Sequence, residues 1–342
     1  MKSKKPRGKR QAELLEQKGK KDEVYTKRDA FISRMASILQ VSTKQARSFF
    51  SQRSVSVIRL NNLAAHPAKI KAILEDKGVI LKEVPWSPYT YIVENRDKSD
   101  LGQMESYRKG LFYIQSLSSM LPVVLLDPKP GEKILDMAAS PGSKTSQIAS
   151  LTNNKATIIA NDANYERAKN LDSILKMFNV KNYQVSVSDG AKYGKRTPEE
   201  FDKVLLDAPC SGEGLIYLQS ENPLRFWNIK KVKSMVHTQQ ELIISAYQAL
   251  KKGGTLIYST CTLEPVENEG IVDYLLSKYP QAELVNISID SVPEFAEYKR
   301  YTERGIRKWS RMEFNKFSGR TLRVIPGSVM QGFYIAKIHK PE

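Results

Sequence analysis

The sequence predicts an α/β protein, in which a doubly wound sheet of parallel strands follows a smaller α+β unit. From residue 132 onward, short apolar runs that suit buried strands alternate with segments of helical periodicity. This alternation is typical of parallel strands joined by crossover helices. Ahead of it, residues 27–100 contain shorter helical and strand patterns, interrupted by Pro85-Trp86-Ser87-Pro88. The 342 residues suffice for one large core and a smaller companion.

The individual elements follow from hydrophobic periodicity and from the residues that begin or end helices. In the alternating region, strands are expected at 133–137, 156–160, 183–187, 204–206 and 255–258, and helices at 143–151, 165–178, 237–250 and 267–279. In the smaller unit, helices are expected at 27–40, 42–50 and 66–77, and strands at 55–60 and 79–84. We therefore expect a basic flexible arm over 1–25, an N-terminal α+β domain over 26–105 and a larger domain over 106–342.

The charge of the chain indicates the kind of partner it binds. Its net charge is +17, and residues 1–28 alone hold eleven basic residues against four acidic ones. A positive field attracts polyanions, and a basic body in addition to a basic tail favours a nucleic acid over a merely solvated tail. The longest apolar run, Leu121–Leu126, is much shorter than a membrane span, and no apolar segment follows the basic N-terminus. We expect a cytoplasmic protein with no membrane partner.

The chain has two cysteines, Cys210 and Cys261, and both follow predicted strands. Cys210 lies in Asp207-Ala-Pro-Cys210 after strand 204–206, and Cys261 lies in Ser259-Thr260-Cys261 after strand 255–258. The carboxyl ends of parallel strands form the edge where ligands bind, so both thiols are expected at an active-site rim. Two core-filling cysteines would share this placement only by coincidence. Two thiols and three scattered histidines predict no metal site.

A loop of small residues follows the first strand of the alternating region. Small side chains let a ligand approach the backbone, and the start of the next helix offers free N–H groups. The loop lacks the upstream glycine of a P-loop and the Gly-x-Gly-x-x-Gly of a dinucleotide site, and a plain structural turn is the alternative. Its residues are Ala138, Ala139, Ser140, Pro141, Gly142, Ser143 and Lys144.

Two further acidic residues end the second and third strands. Asp162 has the position from which a carboxylate accepts both ribose hydroxyls of an adenosine ligand. Asp189 has a position from which it could accept the adenine amino group. The alternatives are a helix N-cap for Asp162 and a turn for Asp189.

These motifs together resemble the Sun-type RNA cytosine-5 methyltransferases, a family that includes bacterial ribosomal-RNA and archaeal or eukaryotic tRNA methylases. The resemblance runs from Gly110-Leu-Phe-Tyr-Ile-Gln-Ser116 to the end, including the closing strand Gly332-Phe-Tyr-Ile-Ala336. Its most specific segments are Asp207-Ala-Pro-Cys-Ser-Gly-Glu-Gly214 and Tyr258-Ser-Thr-Cys-Thr-Leu-Glu-Pro-Val-Glu-Asn-Glu269. In the 138–144 loop the family often has Cys-Ala-Ala-Pro-Gly-Gly-Lys, so the departures exchange small residues for small ones. The basic arm has no family counterpart that we can assign.

The resemblance implies a Rossmann-like S-adenosylmethionine methyltransferase sheet and a role for each motif. Cys261 is implied as the nucleophile that attacks carbon 6 of cytosine, and Cys210 as the group that assists product release. Asp207 is implied as the hydrogen-bond partner of the base, with Lys144 beside it. S-adenosylmethionine is implied as the cofactor, held by residues 138–144, Asp162, Arg167, Asp189 and Asp207. Tyr113 and Gln115 are weaker candidates, and Arg167 is alternatively a solvated helix residue.

The substrate implied by the resemblance is RNA, with ribosomal RNA expected first and tRNA second, and the enzyme is expected to be a monomer. Two clusters interleave basic and aromatic residues, as backbone contact and base stacking require, although either could be an exposed helix face with one core aromatic. They comprise Arg225, Phe226, Trp227, Lys230, Lys231 and Lys233, and then Arg304, Arg307, Lys308, Trp309 and Arg311.

Three rival interpretations account for less of the sequence. A DNA cytosine-5 methyltransferase would attack with Cys210, and the second thiol, Cys261, speaks against it. A small-molecule methyltransferase shares the fold but does not suit the net charge or the two thiols. A non-catalytic RNA-binding assembly factor would not need the catalytic residue types that the chain retains.

Overall fold

The computed structural model describes residues 27–342, which form two compact units. The small unit consists of residues 27–52 and 216–226, and the large unit of 53–215 and 227–342. The basic arm expected over 1–25 lies outside the described residues, and the domain boundary expected after 105 stays a prediction. No helix among residues 27–342 is long and apolar enough to cross a membrane.

The small unit is built on two helices, α1 (residues 27–39) and α2 (Thr43–Phe50), as periodicity predicted. Ser42 caps α2, because its hydroxyl accepts a hydrogen bond from the Gln45 amide at 3.2 Å. The rings of Phe31 and Phe50 pack edge to face with centroids 5.0 Å apart. The amide of Leu218 donates to the Phe50 carbonyl at 2.7 Å and so joins segment 216–226 to this pair.

The first part of the large unit is a four-stranded antiparallel sheet, whose strands lie in the order β2 (Leu81–Glu83), β3 (Thr90–Val93), β1 (Ser56–Leu60) and β4 (Phe112–Ile114). The predicted strand over 79–84 is shorter than expected, because the Val79 amide still bonds to the Leu74 carbonyl at the end of the preceding helix. The elements are β1 (Ser56–Leu60), α3 (Pro67–Asp76), β2 (Leu81–Glu83), β3 (Thr90–Val93), α4 (Lys98–Gln103), α5 (Glu105–Arg108) and β4 (Phe112–Ile114).

The rest of the large unit is a nine-stranded sheet flanked by helices. Its first elements are α6 (Leu117–Leu126), β5 (Lys133–Asp136), α7 (Ser143–Leu151), β6 (Thr157–Asn161), α8 (Tyr165–Met177), β7 (Tyr183–Ser186), α9 (Tyr193–Arg196) and β8 (Phe201–Asp207). They are followed by α10 (Ile229–Ala249), β9 (Leu250–Thr260), α11 (Glu269–Lys278), β10 (Glu283–Val285), β11 (Thr302–Arg304), β14 (Leu322–Val324) and β15 (Phe333–His339). Two more strands, β12 (Lys308–Trp309) and β13 (Met312–Glu313), form a separate hairpin.

The strand order is β11-β14-β15-β9-β8-β5-β6-β7, with β10 paired to β15. The five predicted strands are β5 to β9, and they pair in parallel as expected. Because β5 lies between β6 and β8, the strand order reverses there, which leaves a crevice at the carboxyl ends. The strands beyond β9 are antiparallel additions, of which the sequence indicated only the closing one, β15.

Two element boundaries in the larger sheet differ most from the prediction. Helix α10 begins at Ile229 rather than His237, because Asn228 caps it by accepting from the Lys231 amide at 2.8 Å. Strand β9 begins at Leu250, where the helix was expected to end, and so it is longer than the predicted 255–258. The first difference arises from a local cap, and the second from the pairing of Leu250 with Phe201 of β8.

A buried ion pair fastens α11 to β14. Arg323 donates to the two carboxylate oxygens of Glu269, from Nε at 2.7 Å and from Nη2 at 2.5 Å. Its Nη1 donates to the Leu263 carbonyl at 3.0 Å, and both charged side chains are almost fully buried. The two-point geometry and the third hydrogen bond offset the cost of removing both charges from water.

Removing one member of this pair should destabilise the fold more than removing both. Glu269→Ala leaves the Arg323 guanidinium buried without its counter-ion and should lower the free energy of unfolding by about 3–5 kcal/mol. The double variant Glu269→Leu/Arg323→Met buries no charge and should cost less than the single one. Chemical denaturation measures both; a double variant as unstable as the single one would show that the unpaired charge is not the cause.

Candidate active site

The two thiols lie together at the carboxyl edge of the sheet. Strands β8 and β9 run in parallel with Asp207 opposite Ser259, and Cys210 and Cys261 follow within three residues. The two sulfur atoms are 3.2 Å apart, within hydrogen-bond distance, and both residues are partly exposed. The structure therefore brings the two cysteines to one rim, as the sequence predicted.

A cavity of about 380 Å³ opens beside this thiol pair. Among the predicted site residues it is lined by Tyr113, Gln115, Ala138, Ala139, Ser140, Pro141, Ser143, Lys144, Asp207 and Cys261. The predicted residues that do not line it are Gly142, Asp162, Arg167, Asp189 and Cys210. Of the two thiols, then, Cys261 is the one that faces the cavity.

An ion pair connects two of the predicted catalytic residues inside the cavity. Lys144 Nζ donates to Asp207 Oδ2 at 2.5 Å and to Ser119 Oγ at 2.9 Å. Ser259 Oγ donates to the other carboxylate oxygen of Asp207 at 2.8 Å. The Lys144 ammonium also lies 5.6 Å from the ring centre of Phe333. These contacts fix the orientation of the carboxylate, whose side chain is partly exposed to the cavity.

The other side of the crevice contains polar atoms that lack partners within the described chain. Thr145 Oγ1 donates to Asp136 Oδ2 at 2.7 Å, whereas Asp136 Oδ1 is buried without a hydrogen bond. Burial raises the pKa of Asp136 to about 6. The buried Ser140 Oγ and Asn161 Oδ1 also lack a partner among residues 27–342. Buried polar atoms are normally paired, so these three suit a polar ligand at the ends of β5 and β6.

The loop before α7 is shaped by one glycine. Gly142 has φ +107 and begins the helix without a side-chain cap, which leaves the first N–H groups of α7 available. A Cβ atom at this position would lie 3.0 Å from Leu171 Cδ1. Arg167 donates to the Ser140 carbonyl at 3.3 Å and lies 3.2 Å from Asp162 Oδ2, so it ties the loop to the end of β6.

The remaining two acidic candidates also have structural partners. Asp162 is buried and accepts a hydrogen bond from the Asn164 amide at 3.0 Å, while Asn164 itself caps α8. Asp189 is exposed, and it accepts from the Ala191 amide at 3.1 Å at the start of a short 3₁₀ turn. Asp189 thus acts in the turn that was its alternative interpretation, whereas the N-cap that was the alternative for Asp162 is supplied by Asn164.

The sequence reasoning missed several residues of the cavity. Asp136 could have been selected from the sequence, because it is a carboxylate at the carboxyl end of a predicted strand. Ser119 lies outside the quoted motifs, and Ser259 and Phe333 lie inside them but were not selected. All three contact Lys144 or Asp207 because α6, β9 and β15 pack around this pair. No group of three or more histidine, cysteine or acidic residues within 27–342 could hold a metal ion.

The two aromatic rings of the first basic cluster differ in exposure, and Arg304 of the second cluster already has hydrogen-bond partners. Phe226 is 70% exposed, and the Arg225 guanidinium lies 5.0 Å from its ring centre. Trp227, in contrast, is buried and so is a core aromatic. In the second cluster, Arg304 is occupied by the Ile287 carbonyl at 2.6 Å and by Asn286 Oδ1 at 3.0 Å.

The strand order and the crevice are those of a doubly wound sheet with a ligand site at its switch point, and the matches that follow give its class, an S-adenosylmethionine-dependent methyltransferase. A family model described as 16S rRNA methyltransferase RsmB/F matches residues 123–339. A second model, the N-terminal domain of 16S rRNA methyltransferase RsmF, matches residues 28–117. The chain therefore belongs to the RsmB/F family, which confirms the resemblance drawn from the cysteine motifs.

Named relatives include enzymes for two kinds of RNA. The chain is 41% identical over 285 residues to tRNA (cytosine(49)-C(5))-methyltransferase of Pyrococcus abyssi, covering 83% of this chain and 88% of that protein. It is 43% identical over 231 residues to ribosomal RNA small subunit methyltransferase F of Klebsiella pneumoniae, covering 66% of this chain. The chain spans about half the length of that relative, 48%. A solved methyltransferase homologue from Pyrococcus horikoshii superposes with a TM-score of 0.71 at 31% identity, covering 90% of this chain and 99% of that one.

Crowding the loop before α7 should weaken cofactor binding. Gly142→Ala adds a methyl group next to Leu171 in a backbone conformation that alanine rarely adopts, so the loop must move. We expect the affinity for S-adenosylmethionine to fall about tenfold or more in titration calorimetry, roughly 1.4 kcal/mol. Gly131→Ala is the matched control, because it has φ +86 but no atom within 4 Å of the added group. If the wild type, Gly142→Ala and Gly131→Ala bound S-adenosylmethionine with equal affinity, this loop would not hold the cofactor.

Proposed function

We propose that the protein is an RNA cytosine-5 methyltransferase that forms 5-methylcytosine with Cys261 as its nucleophile. The observation that carries this proposal is the position of Cys261, which lines the cavity together with the Lys144–Asp207 pair. The sulfur of the second thiol, Cys210, lies 3.2 Å from the Cys261 sulfur, and Cys210 does not line the cavity. This arrangement supplies one accessible thiol, one supporting thiol and one fixed carboxylate.

The chemistry requires such a nucleophile because carbon 5 of cytosine is itself weakly nucleophilic. Addition of the Cys261 thiolate to carbon 6 forms a carbon–sulfur bond and turns the ring into an enamine. Carbon 5 can then accept a methyl group. Loss of the carbon 5 proton and cleavage of the carbon–sulfur bond restore the aromatic base and release the enzyme.

Asp207 and Lys144 bind and orient the base in this proposal. Asp207 forms hydrogen bonds with nitrogen 3 or the exocyclic amine, and so stabilises the adduct. Ser259 and Lys144 each donate to one oxygen of Asp207, which holds the carboxylate in one orientation before the base arrives. The target base must leave its stack to reach this site, which costs least in RNA loops and single strands.

Cys210 serves as the group that removes the carbon 5 proton. The hydrogen bond with Cys261, and then burial, raise the pKa of Cys210 well above the ordinary thiol value. Cys210 therefore retains its proton while Cys261 is free. Once Cys261 is bonded to carbon, its sulfur is a thioether and a weaker hydrogen-bond acceptor than a thiolate, so the first cause of the raised pKa of Cys210 diminishes when a base is needed.

The cofactor fits on the other side of the crevice. S-adenosylmethionine supplies an electrophilic methyl group when bound. Residues 138–144 and the free N–H groups of α7 would approach it through the backbone, and Asp162 and Asp189 would accept from its ribose and adenine. Arg167 would act by holding Ser140 and Asp162 in place. The unpaired buried oxygens of Asp136, Ser140 and Asn161 support a polar ligand at this position.

Ribosomal RNA is the first candidate substrate, because both family models that match the chain are described as 16S rRNA methyltransferases. A specific observation also favours tRNA: the Pyrococcus abyssi relative, named as a tRNA methyltransferase, aligns with this chain over 88% of its own length. The net charge of +17 suits either polyanion. Action in the cytoplasm as a monomer is part of the same proposal.

Loss of the Cys261 thiol and loss of the Cys210 thiol should affect methyl transfer in different ways. We expect Cys261→Ala to abolish transfer from labelled S-adenosylmethionine to unmodified total RNA, because no adduct forms. Cys210→Ala should still form the adduct but release it slowly, so that a covalent protein–RNA complex accumulates. Scintillation counting of size-fractionated RNA measures the first effect, and a denaturing gel measures the second.

The same fractions identify the substrate class. Label in the 16S fraction supports ribosomal RNA, and label in the small-RNA fraction supports tRNA. Activity of Cys261→Ala together with inactivity of Cys210→Ala would reverse the two assigned roles. Absence of label from every RNA treated with the wild type would leave the non-catalytic assembly factor as the better interpretation.

A further inference from the structure

A cluster of buried polar side chains lies directly behind the two cysteines. Ser211 follows Cys210 in the chain, Thr262 follows Cys261, and these two side chains meet two buried glutamates, Glu213 and Glu267. Glu213 and Glu267 are both 0% exposed, and neither forms an ion pair with another described residue. Nothing in the reaction proposed above uses this cluster.

Hydrogen-bond geometry sets the number of protons that the cluster must hold. Ser211 Oγ lies 2.6 Å from Glu213 Oε2 and also makes a short contact with Glu267 Oε1. Thr262 Oγ1 makes a short contact with the same Glu213 oxygen. Each hydroxyl has one proton, so two hydroxyls cannot donate to three carboxylate contacts. The third proton must reside on a carboxyl group.

Glu267 is the carboxyl group whose contacts suit a proton. Its Oε2 accepts two N–H groups, from the Ser211 amide at 3.0 Å and from Gln239 Nε2 at 2.8 Å, as a carbonyl oxygen does. Its Oε1 contacts the Ser211 hydroxyl alone, which in turn can donate to Glu213. Burial, and then the neighbouring charge of Glu213, raise the pKa of Glu267 to about 7.

We propose that the proton shared by Glu267, Ser211 and Glu213 holds the two cysteine loops together, and that Glu267 is the positioning residue that carries it. The chain of contacts runs from Glu267 through Ser211, beside Cys210, to Glu213 and then to Thr262, beside Cys261. Ionisation of Glu267 would place two buried negative charges on one hydroxyl and weaken that chain. This inference rests on the proposed function for its catalytic consequence.

Other titratable groups also face the cluster. Cys210 lies in the same loop as Glu213, and the charge of Glu267 contributes to the raised pKa of Cys210. The Tyr258 hydroxyl of β9 donates to the Glu267 carbonyl at 2.6 Å, and burial raises the pKa of this phenol well above 10. From α10, Lys231 donates to the Ser211 carbonyl at 3.2 Å. Whereas the pKa values of Cys210 and Tyr258 are raised well above their ordinary values, that of Glu267 is raised to about 7.

The test compares Glu267→Gln with Glu267→Ala. The glutamine amide can donate to Ser211 in place of the shared proton, and its carbonyl can accept the two N–H groups, whereas alanine removes both functions. Glu297→Gln is the matched control, since it also removes one negative charge but from an exposed position. Three quantities are measured on the full-length proteins: the melting temperature against pH, the rate of Cys210 alkylation by iodoacetamide against pH, and methyl transfer.

The first two measurements do not depend on RNA. The folded-state pKa of Glu267 lies above its unfolded value of 4.5, so its protonation stabilises the wild type at low pH and the effect is lost between about pH 4.5 and 7. The wild type should therefore lose at least about 3 °C relative to Glu267→Gln between pH 5 and 7.5. Cys210 alkylation should titrate about half a pH unit lower in Glu267→Gln, because the negative charge of Glu267, which raises the pKa of Cys210 in the wild type, is removed.

Methyl transfer distinguishes positioning from simple loss of folding. Glu267→Gln should retain kcat within about threefold at pH 7, and Glu267→Ala should lose about thirtyfold or more at an unchanged KM for RNA. The proposal is overturned if Glu267→Gln behaves as Glu297→Gln does in both pH series, or if it is as impaired as Glu267→Ala. A wild type that transfers no methyl group would refute the proposed function, while the two pH series would still decide whether the cluster shares a proton.

Discussion

The parallel pairing of β8 with β9 is the constraint on which the rest of the site depends. Its register sets Asp207 opposite Ser259, and the two loops that leave these strands carry Cys210 and Cys261 to a sulfur–sulfur distance of 3.2 Å. Ser259 bonds to Asp207 across the same pair of strands. A shift of one residue between these strands would turn the side chains to opposite faces of the sheet and separate these groups.

The site combines groups from distant parts of the chain, and its charges are arranged in two separate networks. On the cavity side, Lys144 and Ser259 hold the carboxylate that would meet the base. Behind the thiols, Glu213 and Glu267 meet the hydroxyls of the residues that follow each cysteine. The first network orients an exposed group toward a ligand, and the second fixes the backbone that carries the thiols. Precise placement of both is what a two-thiol reaction requires.

Much of the fold was predictable from the sequence, because the predicted helices and parallel strands carry clear apolar periodicity. The predicted sheet, the family and the S-adenosylmethionine-dependent class are confirmed. The antiparallel strands β10, β11 and β14 were not predicted, since each is only three residues long and too short for a periodic signal. The early start of α10 depended on the Asn228 cap, which precedes any apolar stripe.

The residues of the candidate site likewise divide into those that the sequence could identify and those that it could not. Residues inside motifs, such as Lys144, Asp207 and Cys261, could be selected from the sequence, and the structure groups them in one cavity. The contacts that Ser119 and Phe333 make with Lys144 could not be predicted, although Phe333 lies in the closing-strand segment, because they depend on how α6 and β15 pack against α7. The Glu267 cluster was equally hidden: a proton count needs the distances between four side chains that lie up to 56 residues apart. The roles assigned to the individual site residues stay predictions.

The most direct test of the central claim, nucleophilic attack by Cys261, is to trap its adduct. RNA containing 5-fluorocytosine carries fluorine in place of the proton that must leave carbon 5, so a methylated adduct cannot break down. After incubation of the wild type with S-adenosylmethionine and this RNA, nuclease and protease digestion followed by mass spectrometry locates the modified peptide. The account predicts a nucleotide on the peptide that contains Cys261. A nucleotide on the Cys210 peptide, or no adduct from a protein that methylates ordinary RNA, would contradict it.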